Sequence, residues 1–345
     1  MSSVSPIGIP NALGILKNDG TGLLTWTTIQ PGRNAIINGD CRVNQRVTAY
    51  TLIKDAYPWD TSDLYGPDRH EGMATGTAVS AGTWGQTVTA TAGNSGYAFT
   101  FAGVTLTGTG ILYHRHRIEA KDAVEFKNQI CSFGCSVYQD TGSAIPYTIY
   151  IRKANAADNF SAVTAISNSG AISVPSGAKT ALKYENISVG DCSNGIEIEI
   201  VIECGAVTTK NFEQTELQFE KGSVCTAFEI KSILEELSSC SRYFTSLFFA
   251  TGGAGEMIGI AFNTQGLVTA KTFPSPMRAV PTVTIFATGG DNHVRTTATG
   301  ADVTIVTPSY AGLSNTGLSW WFDSGSAPFT SGAAYDWGAR FVSEL

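Results

Sequence analysis

The 345-residue sequence has 37 glycines and only 15% charged residues, which suits short strands joined by tight turns and leaves length for more than one buried core. Its formal net charge of −7 and pI near 5.2, with no basic cluster beyond His114-Arg115-His116-Arg117, exclude a nucleic-acid footprint. No run approaches the ~18 apolar residues of a membrane span, and MSSVSPIGIP lacks both parts of a cleaved signal, so a soluble chain without one is expected.

Residues 1–32 combine Pro6, Pro10 and Pro31 with a turn-rich Lys17–Gly22 and a small apolar patch at Leu23, Leu24 and Trp26. That is too little for a core, and the segment reads as an anchor arm that orders against a partner. From 33 to 231 strand follows strand, as in QTVTATA (86–92), YAFTFAGVTL (97–106), PYTIYIRK (146–153) and GIEIEIVIE (195–203), with Gly, Asn, Asp, Ser or Pro between them. In the last, Ile196, Ile198, Ile200 and Ile202 share one face and Glu197, Glu199 and Glu203 the other, predicting one buried and one wet face.

In ELQFE (216–220) the same alternation sends Leu217 and Phe219 inward and Glu216, Gln218 and Glu220 to solvent. Ser232 followed by Glu235 matches a capping box and opens a connecting helix over 232–243, with Ile233, Leu234, Leu237, Cys240 and Phe244 on one face. Residues 244–345 return to strands (MIGIAFNT, AVPTVTIFA, ADVTIVT, GLSWWFD). The fold class is all-β: a sandwich, a short helix and a second, smaller β-sandwich domain.

Candidate chemistry is sparse. Glu197 and Glu199 stand ~6.6 Å apart on one strand face and imitate a glycosidase pair, but such pairs come from different elements lining a cleft, so a solvated face is expected. Glu216 and Glu220, ~13 Å apart on a regular strand, fall outside that range. His114 and His116 could offer two metal ligands with Glu119 or Asp122, yet arginines fill the alternate face and no H-E-x-x-H accompanies them. No G-x-S-x-G elbow occurs, and the Gly-rich runs lack a phosphate-loop lysine. No catalytic residue, metal site or cofactor is expected, and structural calcium stays open.

Seven cysteines, an odd count without regular spacing, argue against a disulfide framework; Cys131 and Cys135 would stand ~13 Å apart on a strand. Sugar binding would use exposed aromatic platforms beside acids. Trp321 (adjacent to Trp320), Asp323, Tyr335 and Trp337 are the candidate glycan-binding residues, set against packing in a small β domain or at a trimer interface.

NAIINGDCRVNQR (34–46) resembles the N-x-I/L-I/L-N-G-x-F-x-V-x-Q-R opening of a group of bacteriophage virion proteins. YGPDRH (65–70) resembles their Tyr-x-x-Asp-Arg-Trp element, with His70 at the Trp position, and RIE (117–119) their Arg-Ile-Glu element. QFEKGSV (218–224), TAFE (226–229), EELSSCSRY (235–243), FPSPMRAVPTV (273–283) and SEL (343–345) look like later blocks of the same proteins. The resemblance implies a jelly-roll domain similar to carbohydrate-binding modules, a small helix, a second β domain and a homotrimeric, non-enzymatic virion protein. A tail fibre or spike attaching to host-surface glycan is the reading it favours, with residues 1–32 holding other virion proteins of tail, baseplate or capsid. A head fibre or capsid decoration protein, and a glycan-cleaving tail spike, remain the alternatives.

Overall fold

The computed structural model describes residues 32–46, 65–247, 257–287, 290–305, 309–323 and 327–345, with backbone alone at 290, 309, 311 and 319–323 and for strands at 14–18, 24–28 and 49–51. β1 (Gly14–Asn18) and β2 (Leu24–Thr28) pair as an antiparallel hairpin; the rest of the expected anchor arm lies outside the described residues.

Two six-stranded antiparallel sheets enclose the main core. The first runs in space β10 (Asn159–Asn168), β9 (Ile145–Ala156), β13 (Ile196–Ile202), β7 (Ile111–Ile118) and β4 (His70–Thr75), with β11 (Ile172–Val174) also on β9. The second runs β12 (Thr180–Ser188), β8 (Ile130–Gln139), β14 (Val207–Lys221), β6 (Ala98–Thr107), β5 (Ala78–Thr87) and β3 (Ala49–Thr51). The chain crosses repeatedly from one sheet to the other, as in a jelly roll. The β13 isoleucines share the core with Phe133 of β8 and with Phe212 and Phe219 of β14, each such side chain contributing roughly 1.5–3 kcal/mol by leaving water. Gly72 of β4 is required there, because a Cβ would lie 2.2 Å from the buried Trp84 ring.

β14 carries both Phe212 and Leu217 in the core, an odd spacing that strict alternation forbids. A bulge between Thr215 and Gln218, with Glu216 in the left-handed region at φ 54°, supplies the extra residue. Residues 222–231 then strap back across the outer face. The Thr226 backbone N–H donates to Glu220 (2.7 Å) and that of Glu229 to Gln218 (2.7 Å), so Gln218 and Glu220 are buried rather than on the expected solvent side.

Two α-helices are present among the described residues, α1 (Ala120–Ala123), which runs on into a 3-10 turn at Val124–Phe126, and α2 (Ile233–Ser241). Ser232 caps α2 as expected, its hydroxyl accepting the Glu235 N–H at 3.2 Å. The buried face is not the apolar one: Ile233, Leu234 and Leu237 are exposed, Leu234 by 75%, while Glu236, Cys240 and Ser241 face inward. The helix docks through a polar contact, Glu236 accepting the Asn38 N–H at 2.7 Å, and that contact selects its rotation.

The second, smaller β region joins β15 (Phe244–Leu247), β16 (Met257–Ala261), β17 (Gly266–Val268), β18 (Ala270–Thr272), β19 (Thr282–Ala287), β20 (Gly290–Asp291), β21 (His293–Thr296), β22 (Asp302–Thr304), β23 (Ser309–Leu313), β24 (Gly317–Asp323) and β25 (Ala334–Val342). β25 pairs with β15, β16, β19 and β21, which connects all eleven strands around a separate core. All seven cysteines are unpaired, and six are buried. Among the described residues no helix is long and apolar enough to cross a membrane.

Candidate functional site: a buried polar seam

The motif blocks scattered along the sequence meet in space. Asn34 donates its backbone N–H to Glu229 (2.9 Å) and its amide to the Leu217 carbonyl (3.0 Å), while its Oδ1 accepts the Phe219 N–H (3.1 Å). Asn38 holds the following loop by accepting the Val43 N–H and donating to the carbonyls of Val43 and Asp68. Its left-handed φ of 59° is one that Asn tolerates better than most residues. Asp68 accepts the Gln45 N–H at 2.6 Å; burial pushes its carboxyl up to about 6 against the opposing pull of Arg46.

Glu344 of the SEL block closes the seam between the two β regions. One carboxylate oxygen meets Arg46 Nη2 at 2.7 Å and the other pairs with Arg69 Nη1. Arg69, 1% exposed, lies 3.6 Å over the Tyr243 ring and donates to the Arg117 carbonyl (2.6 Å); Arg46 lies 3.8 Å over Phe244. Tyr65 and Arg117 both donate to the Leu345 carbonyl, at 2.8 and 2.5 Å. Helix α2 is tied to the sandwich by Arg242 on Glu119 at 2.9 Å.

Glu197 and Glu199 require a correction. Each is 2% exposed, on an outer sheet face that is buried rather than wet. Register places Arg117 and Arg152 beside Glu197, and Arg115 beside Glu199. Arg115 reaches Glu199 at 2.7 Å and Glu71 at 3.3 Å, Arg117 reaches Glu71 at 2.9 Å and Glu197 at 3.2 Å, and Arg152 reaches Glu199 at 2.7 Å and Glu197 at 3.2 Å. Three guanidinium groups thus interlock with three carboxylates, each charge held by opposite ones, which is what lets them leave water. The carboxylates are occupied by arginine. Glu197→Ala should cost about 3–5 kcal/mol in urea unfolding, the range for breaking a buried pair; a change within ~0.5 kcal/mol would match a solvent-facing residue instead.

His114 and His116 also face the core, where His70 of β4 joins them. His70 Nε2 lies 3.0 Å from the Ile37 carbonyl, which can only accept, so His70 Nδ1 is left to accept from His114 Nε2 at 2.9 Å. Neither ring nitrogen of His116 has a hydrogen-bond partner. Burial lowers the pKa of all three, that of His114 to about 3. Glu119, one of the two carboxylates weighed as a companion to these histidines, is held by Arg242 and Lys121, and no group of three or more His, Cys, Asp or Glu among the described residues could hold a metal ion.

The expected aromatic platform is not assembled by Tyr335 and Trp337. They are 2% and 1% exposed, inside the second core, because β25 is an interior strand and both rings lie on its inward face. Asp336, on the other face, is paired with Arg295 at 3.0 Å. The side chains of Trp321 and Asp323 lie outside the described residues. Sequence reasoning missed Glu71, Arg152, Glu236 and Glu344; only the EELSSCSRY and SEL blocks signalled the last two.

No family model and no curated protein matches the sequence. Among solved structures, the chain is similar to the carbohydrate-binding module TmCBM61 solved with β-1,4-galactotriose, at 11% identity and TM-score 0.31, over 55% of this chain and 100% of that one. It is similar to the C-terminal family 22 carbohydrate-binding module of Clostridium thermocellum Xyn10B, at 11% identity and TM-score 0.31, over 45% and 88%. The enzymatically active domain of tailspike protein 4 of bacteriophage CBA120 aligns at 12% identity and TM-score 0.33, over 56% of this chain and 22% of that one.

Proposed function

We propose that this chain is a non-enzymatic structural protein of a phage virion, a homotrimeric tail fibre or spike that attaches to host-surface glycan and is held by other virion proteins through residues 1–32. The observation that carries the reading is the convergence of the virion-like blocks. From residue 34 to residue 345 they supply opposite sides of the same buried contacts: Asn34 with Glu229, Asn38 with Glu236, Arg46 and Arg69 with Glu344. Their charged residues are used to join elements, as a rigid particle component requires. The exposed Ile233, Leu234 and Leu237 on α2 support an oligomer, since such apolar clusters mark interaction surfaces.

Gold labelling of intact particles with an antibody to the chain, together with light scattering of the purified protein, tests the reading. Gold on tails and a trimer mass are expected. Gold on capsids would move the protein to the head, a monomer at micromolar concentration would remove the trimer, and particles without label would sink the virion assignment. Depolymerisation of surface polysaccharide by the purified protein would end the non-enzymatic part.

A further inference from the structure

A trench runs along the outer face of the second sheet, between β12 and the strap at 222–231. Its floor is low because Gly134, Ser136 and Ala181 line it, with Ala181 opposite Ser136 in the β12–β8 register. Lys179 and Lys183 form one wall, Thr226 and Phe228 the other. The hollow there measures about 250 Å³, and past Asn94, Glu216 and Phe228, which line both parts, it opens into another of about 600 Å³ that ends at Asp40 and Arg42.

Four features of this trench match a ligand rich in hydroxyl groups. The small floor side chains let a flat ring lie down, and Phe228 offers an aromatic ring beside it, half-buried. The exposed Lys183 ammonium has no hydrogen-bond or ion-pair partner among the described residues, leaving three donors to spend on a ligand. The middle of the trench is already ordered: Glu216 accepts the Asn94 N–H at 2.7 Å and Lys179 donates to Asn94 Oδ1 at 2.9 Å, so little remains to be organised on binding.

We infer that this trench is an oligosaccharide-binding site, with Lys183 donating to ring oxygens or hydroxyls and Phe228 against a sugar face. The inference rests on the glycan-attachment reading above and gives it one surface. It places the contact on the first β domain, away from the Tyr335 and Trp337 positions.

The test uses the full chain on an array of bacterial lipopolysaccharide and capsular polysaccharide fragments, comparing wild type with Lys183→Ala and with Ala181→Trp, which fills the floor from an exposed position. Any fragment that the wild type retains should lose at least tenfold in Kd with each variant, with melting temperature and oligomer mass unchanged. A smaller loss in the folded variants overturns the trench as the site and leaves glycan attachment standing elsewhere. No retained fragment for the wild type overturns both. If Ala181→Trp fails to fold, Lys183→Ala alone decides, since its exposed side chain supports no packing.

Discussion

Between about pH 7.5 and pH 5.5 the folded protein should lose about 3 kcal/mol of stability, read from urea unfolding at a series of pH values. His70, His114 and His116 are buried and neutral, and burial holds each below its ordinary range. In the unfolded chain each takes up a proton below about pH 6.5, so stability is present above that pH and falls as pH drops through it, by about 1.4 kcal/mol per histidine over this interval. Asp68 works the other way. Its folded carboxyl, raised to about 6, binds a proton before the unfolded one does and returns about 1 kcal/mol; Glu71 and Glu236, also raised by burial, act in the same direction. His116→Phe should reduce the net loss by nearly half without destabilising the protein at neutral pH, since neither His116 nitrogen has a partner to lose. A flat profile, or one that rises towards acid, would contradict the buried cluster.

Glu344→Ala should remove about 3–5 kcal/mol and split unfolding into two transitions. The substitution leaves the buried guanidinium groups of Arg69 and Arg46 without their shared carboxylate. Both arginines belong to the sandwich, whereas Glu344 follows the last strand of the second β region, so the same change weakens the joint and lets the two cores unfold separately. Tryptophan fluorescence has a reporter in each, Trp84 and Trp337. A single transition displaced by less than ~1 kcal/mol would show that Glu344 is not what couples them.

The inward sides of these elements were legible because alternation is a local property. The β13 isoleucines and Leu217 and Phe219 lie where a period of two puts them, and Ser232 caps the helix that its spacing with Glu235 announced. The odd step from Phe212 to Leu217 was not legible, because a bulge leaves no mark on the polar–apolar pattern when the inserted residue is a glutamate.

The opposite sides were misread for one shared reason. A strand's second face is wet only if no other part of the chain covers it. Glu197 and Glu199 are covered together with Arg115, Arg117 and Arg152, Gln218 and Glu220 by the strap, and α2 turns its glutamate inward to meet Asn38. Periodicity and turn chemistry, which act within a few residues, specify the all-β class, the order of sandwich, helix and second β region, and the inward apolar residues of strands such as β13. Tertiary structure alone decided which polar residues are buried, that Tyr335 and Trp337 are core, and that blocks from Asn34 to Glu344 form one seam, because a buried charge is tolerated only when distant segments bring its partners.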